Sequence, residues 1–155
     1  MENATALRTA SLLHDCARTL TRLLDRQLAA HQVTAQQAAL LINLANGETG
    51  PKRLAAALGT DTAGTTRLID RLEAKGLLRR RRDTGDRRAV ILELTDSGQR
   101  STPALVPAFG RVAATLFDGL PDADIRRIGD LLERALANAE SPRDGQDRGD
   151  RAVPE

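Results

Sequence analysis

Arginine side chains are concentrated in one short segment of the chain, RRRRDTGDRR at residues 79–88. Its six arginines are Arg79, Arg80, Arg81, Arg82, Arg87 and Arg88. A guanidinium group binds phosphate through two parallel hydrogen bonds, and it binds the O6 and N7 edge of guanine in the same way. The segment is therefore an unfolded run of charge, a solvated surface, or a folded element that meets a polyanion.

The distribution of charge along the chain favours the polyanion. Residues 67–88 carry nine basic and four acidic side chains, a net charge of +5, although the formal net charge of the whole chain is only +2. The remaining residues therefore carry −3. A basic patch on an otherwise slightly acidic chain is typical of proteins that bind nucleic acid.

Few other residues could do chemistry. The chain has two histidines, His14 and His31, and one cysteine, Cys16. These residues show no metal-ligand spacing or nucleophile motif, and there is no Gly-rich phosphate loop, so we expect no enzyme, metal or cofactor. We predict that Cys16 is a small buried hydrophobe, with redox sensing as the alternative. His14, Cys16 and His31 are the candidates for lining an effector cleft.

Length and composition are those of one globular domain in the cytoplasm. A chain of 155 residues with 41% apolar and 28% charged residues can form an ordinary hydrophobic core. No apolar run approaches the roughly 18 residues that span a bilayer, and the N-terminal residues lack the pattern of a signal peptide. One cysteine gives no disulfide framework, which favours a reducing compartment.

Periodicity and capping residues predict four helices before the arginine segment. Apolar residues repeat every three or four positions from Leu7 to Leu28, which predicts one long amphipathic helix. The capping box at residues 34–37 begins a second helix, and Pro51 suits the first turn of a short third one. Asp61 caps a fourth helix over residues 61–75. The predicted core face of this fourth helix consists of Thr65, Leu68, Ile69 and Leu72.

A β-hairpin is predicted at residues 77–94, because the period of the sequence changes after Gly76. Val90, Leu92 and Leu94 alternate with other residues and form one face of a strand. The segment Asp-Thr-Gly-Asp at 83–86 has the composition of a turn.

The arginines of this hairpin divide by predicted role. A turn centred between Thr84 and Gly85 would place Arg82 opposite Arg87 and Arg81 opposite Arg88, and such like-charge pairs cost up to about 1 kcal/mol each. A bound polyanion would offset that cost. We predict that Arg88 pairs with Asp86 at the base of the hairpin and that Arg87 points outward into a minor groove. Arg79 to Arg82 would contact the DNA backbone.

Three features are predicted after the hairpin. Thr95 caps a fifth helix, which Pro103 and Pro107 should kink or interrupt. A last helix begins near Pro121. Its predicted buried residues are Ile125, Ile128, Leu131, Leu132 and Leu136. The charged tail at 141–155 is expected to be disordered.

These elements together predict a mainly α fold with a small β-hairpin wing. A short helix, a turn and a second helix form a helix-turn-helix, and the basic hairpin directly after it makes a winged version. In that fold the exposed N-terminal end of the second helix, the recognition helix, meets base edges. The recognition-helix residues predicted to contact DNA are Thr62, Ala63, Thr66, Arg67 and Arg71.

The central motif resembles that of the MarR family of transcriptional regulators. It reads TRLIDRLEAKGLLRRRRDTGDRRAVILELTDSG at residues 66–98, and its Asp-x-Arg, apolar strand and Leu-Thr fall on Asp86, Arg88, Leu94 and Thr95. The resemblance implies a winged helix-turn-helix domain flanked by dimerisation helices that form an obligate homodimer. It also implies a pseudo-palindromic operator in double-stranded DNA and a cleft for a small-molecule effector that loosens DNA binding.

The resulting expectation is a dimeric, ligand-responsive repressor. We divide the chain into an N-terminal dimerisation helix at 1–32, a DNA-binding domain at 33–95, C-terminal dimerisation helices at 96–140 and a tail at 141–155. The recognition helix is 61–75 and the wing is 77–94. Two alternatives stay open, a low-specificity architectural DNA-binding protein and a redox-sensing regulator that acts through Cys16.

Overall fold

A computed structural model describes residues 2–82, 85 and 89–140 of the chain. The predicted disordered tail, the outward Arg87 and the Asp86–Arg88 pair lie outside the described residues. The helices and strands in chain order are α1 Glu2–Leu28, α2 Ala35–Ala45, α3 Pro51–Ala57, α4 Thr62–Ala74, β1 Leu78–Arg82, β2 Val90–Leu94, α5 Asp96–Ser101, α6 Val106–Leu116 and α7 Asp122–Glu140. Short 3-10 turns at Ala29–His31 and Thr102–Ala104 follow α1 and α5. The predicted class, mainly α with a two-stranded wing, is confirmed.

The helix ends follow the predicted local chemistry. The Thr34 hydroxyl accepts from the Gln37 amide, and the Gln37 side chain accepts from the Thr34 amide, so the capping box is complete. Pro51 lies in the first turn of α3, and the Asp61 carboxylate accepts from the Gly64 amide at the start of α4. The two caps give a partner to backbone amides at the start of a helix. Pro51 has no amide hydrogen, so the first turn of α3 has one unpaired donor fewer.

The core lies where α1, α2, α4, the wing and α6 meet. Its largest fully buried side chains are Leu28, Leu40, Leu41, Leu54, Leu72, Leu78, Leu92 and Leu105. All four residues of the predicted core face of α4 are buried. Because Leu78 and Leu92 anchor both strands of the wing in this core, the wing is fixed relative to α4.

The register of the wing differs from the predicted one. Arg82 pairs with Val90 and Arg81 pairs with Ile91, so neither arginine has an arginine opposite to it. The prediction assumed a tight turn centred on Thr84 and Gly85. The observed register instead places Leu78 opposite Leu94 and Arg79 opposite Glu93, which buries an apolar residue and pairs opposite charges.

The N-terminal part of α1 is exposed, which corrects the prediction for Cys16. α1 packs against α2 and α6 near its C-terminal end, where Leu24 and Leu28 are buried. Residues 4–18 are all exposed, and Cys16 is among them. Its position on the apolar stripe of the helix does not bury it, because the packed part of that stripe begins only near Leu20.

The two prolines interrupt the helical segment after the wing, as predicted. Pro103 lies in the 3-10 turn that separates α5 from α6, and Pro107 lies in the first turn of α6. A proline at such a position removes no helical hydrogen bond.

Helix α7 belongs to a second compact unit that begins at Phe117. The predicted burial of its apolar residues is not found within the single chain, and their predicted burial in a dimer interface stays a prediction. Ile125 and Ile128 are only partly buried, while Leu131, Leu132 and Leu136 are exposed. Burial of this stripe requires a partner surface. Among the described residues, no helix is long and apolar enough to cross a membrane.

Candidate nucleic-acid interface

The N-terminal end of α4 is a firmly capped helix start. The Asp61 carboxylate accepts from the Gly64 amide at 2.6 Å, and the hydroxyls of Thr60 and Thr65 are 2.7 Å apart. The Thr66 hydroxyl donates to the Thr62 carbonyl at 2.8 Å. These local bonds fix the first turn of the helix, which is the part of a recognition helix that approaches base edges.

The exposed face of α4 carries the residues that were predicted to contact DNA. Thr62, Ala63, Thr66, Arg67 and Arg71 are all exposed. An intramolecular pair between Arg67 and Asp70 would make this an ordinary surface helix, but Asp70 pairs with Arg80. Within the described part of the chain, neither Arg67 nor Arg71 takes part in an ion pair.

The four consecutive arginines of β1 have different surroundings. Arg79 and Arg81 both pair with Glu93 of β2, at 3.1 Å and 2.6 Å. Arg80 pairs with Asp70 and Glu73 of α4. Arg82, at the end of the strand, is exposed and has no ion-pair partner among the residues that the structure describes. Among the described residues, three of the four arginines therefore have carboxylate partners and Arg82 has none.

Sequence reasoning missed the carboxylates that neutralise these arginines. Glu93 lies on the strand face opposite to Leu92 and Leu94. Its position next to the arginines of β1 follows only from the register of the two strands, which the sequence does not give. Asp70 and Glu73 are three residues apart on a helix, a spacing that puts both on one side. From that spacing, the sequence could have predicted that two carboxylates of α4 bind one arginine of the wing.

Lys75 holds the C-terminal end of α4 to the turn between α1 and α2. Its ammonium group donates to the Gln32 carbonyl at 2.5 Å and to the Gln37 side-chain oxygen at 3.0 Å. Gln32 is the one residue other than glycine in the described part of the chain with a left-handed backbone, at a φ of 57°. Since Gln37 is buried, this contact ties the C-terminal end of α4 to the body of the protein.

A cavity of about 710 Å³ lies behind the wing. It is open to solvent between α2, the base of the wing, α5 and α6. Its lining residues are Ile42, Leu44, Ala45, Asn46, Thr49, Arg79, Leu92, Glu93, Leu94, Gln99, Thr102, Pro103 and Val106. The volume is within the range of roughly 300–1,000 Å³ that is usual for small-molecule sites.

The predicted effector-cleft residues lie elsewhere. His14 and Cys16 are on the exposed part of α1, and His31 is exposed in the 3-10 turn that follows this helix. None of the three lines the cavity behind the wing. Their role, including redox sensing by Cys16, stays a prediction.

The helix-turn-helix, the two-stranded wing and the basic face of α4 define a winged helix-turn-helix protein of the DNA-binding class. Residues 31–89 match the family model described as "MarR family". Over this segment the chain is similar to the MarR family, and the relatives and solved structures compared with it have the names of transcriptional regulators.

Two curated relatives have the names of transcriptional regulators. The chain is 29% identical to the HTH-type transcriptional repressor NicR of Pseudomonas putida over 122 residues, which cover 78% of this chain and 77% of NicR. It is 31% identical over 87 residues to YwaE of Bacillus subtilis, an uncharacterized HTH-type transcriptional regulator. That match covers 56% of this chain and spans only about half the length of YwaE, 51%.

Two solved structures share the fold along most of the chain. A mutant MarR from E. coli complexed with operator DNA has a TM-score of 0.78 at 25% identity and covers 85% of this chain and 96% of its own. BpsR of Bordetella bronchiseptica, whose DNA binding is regulated by 6-hydroxynicotinic acid, has a TM-score of 0.75 at 25% identity. That similarity covers 83% of this chain and 98% of BpsR.

Proposed function

We propose that this MarR-type regulator is a homodimeric, ligand-responsive repressor that binds a pseudo-palindromic operator. In each protomer, α4 enters the major groove with Thr62, Ala63, Thr66 and Arg67 at the base edges. Arg71 and Arg82 contact phosphates on either side. The wing, including Arg87 by the prediction from the sequence, follows the adjacent minor groove.

One observation carries this proposal. Arg67, Arg71 and Arg82 are exposed and have no carboxylate partner within the described residues, whereas the neighbouring arginines of β1 are all paired. A surface on which three guanidinium groups have no carboxylate partner among the described residues, beside a capped helix start, is suited to a polyanion. The similarity to the E. coli MarR variant complexed with operator DNA supports the same assignment.

A binding titration separates a repressor from an architectural protein. A specific regulator should bind the inverted repeat next to its own coding region on the order of 1,000-fold more tightly than a scrambled duplex. An architectural protein would bind both duplexes about equally. Fluorescence anisotropy with both duplexes at several salt concentrations measures the ratio, and a ratio near one would reject the repressor.

We expect different losses from two variants of α4. Arg67→Ala should weaken operator binding by about 1–3 kcal/mol and relax specificity at one base pair, because a base contact is lost. Arg71→Ala should weaken binding to all duplexes alike and lower the salt slope by about 1, because a phosphate contact is lost. Titration against operators altered at single base pairs measures both effects. Equal losses on every duplex for Arg67→Ala would contradict base recognition by this residue.

Dimerisation is proposed from two apolar surfaces that the chain leaves exposed. On α1 they are Leu12 and Leu13, with 55% and 47% of their surface accessible. On α7 they are Leu131, Leu132 and Leu136, with 52%, 37% and 63% accessible. Large apolar surfaces of this kind usually mark an interface, and a second copy of the chain supplies a matching one.

We assign the effector to the cavity behind the wing. Apolar side chains from α2, β2 and α6 line it, together with polar groups such as Asn46, Thr49 and Gln99. Such a lining suits a small, largely apolar molecule with a few hydrogen-bonding groups. The cavity also contacts Arg79 and Glu93 at the base of the wing, so a bound molecule would act directly on an element that meets DNA.

Narrowing this cavity should remove the response to the effector and leave DNA binding in place. Ala45 is exposed on the cavity wall, so Ala45→Phe fills space without displacing the core. We expect Ala45→Phe to bind the operator within about threefold of the unaltered chain, since Ala45 lies at the C-terminal end of α2 and belongs neither to α4 nor to the wing. Release from the operator by a panel of small organic acids, headed by 6-hydroxynicotinic acid, provides the measurement. An unchanged response in Ala45→Phe would place the effector site elsewhere.

A further inference from the structure

The recognition helix carries two carboxylates beside its DNA-facing arginines. Asp70 and Glu73 lie on one side of α4, and their side chains are 56% and 38% exposed. An uncompensated carboxylate at such a place repels the phosphates of an approaching duplex. Their presence needs an explanation in a helix that meets DNA.

Arg80 binds both carboxylates. Its guanidinium donates to Asp70 Oδ1 at 2.5 Å and to Glu73 Oε2 through its second terminal nitrogen. The backbone amide of the same residue donates to Glu73 Oε1 at 3.1 Å. The hydrogen bond with Asp70 raises the pKa of Arg80 above its ordinary value, with Glu73 adding to the effect and burial opposing it. The guanidinium therefore stays charged under all ordinary conditions.

This arrangement joins two elements and not merely two side chains. The planar guanidinium fixes two acceptors in a defined orientation, which a lysine ammonium cannot do. The amide contact fixes the backbone of β1 against α4 at the same place. Surface ion pairs usually contribute little to stability, so the contribution of this network is to geometry more than to the free energy of unfolding.

We infer that Arg80 is a positioning residue that sets the wing against the recognition helix, so that both reach one operator half-site together. The inference rests on the proposed function and deepens it. It separates Arg80 from Arg82, two positions along the same strand, whose exposed side chain has no partner in the described region. Arg80 acts through Asp70 and Glu73, and Arg82 acts on the phosphate directly.

A pair of lysine variants tests this separation at constant charge. Arg80→Lys should lower the ratio of operator affinity to scrambled-duplex affinity roughly tenfold, because the bidentate link is lost while the charge remains. Arg82→Lys should keep operator affinity within about twofold, because a phosphate contact tolerates an ammonium group. The operator is the duplex selected by the unaltered chain from a randomised library, and titrations at several salt concentrations provide affinities and salt slopes.

Neutralising the two carboxylates separates the two explanations through operator preference and not through overall affinity. If Asp70 and Glu73 only repel DNA, Asp70→Asn combined with Glu73→Gln should bind every duplex more tightly and keep its preference for the operator. If they hold Arg80, the double variant should lose roughly tenfold in operator preference, although it carries two fewer negative charges. Far-UV circular dichroism at the titration temperature checks that the double variant is folded, and Arg80→Lys provides the same test if it is not.

The outcomes distinguish the inference from the function on which it rests. A selective unaltered chain with reduced preference in Arg80→Lys and in the double variant supports the positioning role. A selective unaltered chain whose Arg80→Lys variant keeps its full preference overturns the positioning role alone. An unaltered chain that enriches no sequence and prefers no duplex overturns the repressor, and the positioning role with it.

Discussion

Gly98→Ala is expected to destabilise the protein by about 3 kcal/mol or more, because the added methyl group has no room. A Cβ atom at Gly98 would lie 2.0 Å from the Leu77 carbonyl oxygen and 3.2 Å from Leu94 Cδ2. The Leu77 carbonyl cannot turn away freely, since it accepts from the Thr95 amide at 3.1 Å. The methyl group would therefore force α5 away from the base of the wing. Urea unfolding followed by circular dichroism measures the loss.

Gly110→Ala is the matched control for this prediction. Gly110 lies within α6, and an added Cβ atom there meets nothing within 4 Å. The same change at this site should be neutral or stabilise the protein by up to about 1 kcal/mol, because alanine favours the helix. Unfolding midpoints that agree within error for Gly98→Ala and the unaltered chain would show that α5 and the wing can separate without cost.

The close approach of the Leu77 carbonyl to Gly98 also explains why α5 begins with a capping threonine followed by a glycine. Thr95 caps α5 through the Gly98 amide, and its hydroxyl also donates to the Gly76 carbonyl. The Leu77 carbonyl and the start of α5 are in contact because β1 and β2 are joined at this end of the wing. The cap was predicted from the threonine alone. The requirement for glycine was not, since it depends on a backbone 21 residues away in sequence (Leu77 against Gly98).

Local features of the fold could be predicted from the sequence. The Thr34 capping box, the Asp61 and Thr95 caps and the core face of α4 depend on residues within one or two helical turns, and all of them are confirmed. The helical segment is likewise interrupted at Pro103, while Pro107 lies in the first turn of the helix that follows. These features are fixed by backbone hydrogen bonds that a short segment satisfies on its own.

Features that depend on distant partners could not be predicted in the same way. The register of the wing was wrong because a turn sequence constrains pairing only if the turn is tight, and here the core position of Leu92 and the Arg79–Glu93 pair fix it. The prediction that Cys16 is buried was wrong because an apolar stripe shows which side of a helix can be buried, not which part of it has a partner.

The candidate site likewise has some features that local sequence predicts and others that depend on residues distant in sequence. Exposure of the recognition-helix residues followed from helical periodicity and needed no structure. The division of the arginines did not follow, because Arg79, Arg80, Arg81 and Arg82 are identical in type and adjacent in sequence. Their surroundings differ only once Asp70, Glu73 and Glu93 are placed beside them. A run of like residues thus contains arginines that pair with carboxylates and, within the described part of the chain, one that does not.

Leu13→Asp is expected to convert the dimer into a monomer and to weaken operator binding on the order of 100-fold or more, because two linked half-site contacts become one. Leu13 lies on the apolar stripe of α1 and is 47% exposed in the single chain. A carboxylate at this position would be buried without a partner in a dimer, which is strongly unfavourable. Sedimentation velocity at several concentrations measures the assembly, and anisotropy titration measures operator binding.

Ser11→Asp adds the same charge to the opposite side of the same helix, since two residues along a helix differ by about 200° in direction. Ser11 is exposed, and its change should leave both assembly and operator binding within about twofold of the unaltered chain.

Leu136→Asp tests the α7 surface independently. A monomeric mass for the unaltered chain at every concentration, or an unchanged dimer in both leucine variants, would contradict the proposed interface. Because Leu13 contributes nothing to the core of one chain, loss of the dimer with an unchanged circular dichroism spectrum would assign the effect to the interface and not to the fold of the protomer.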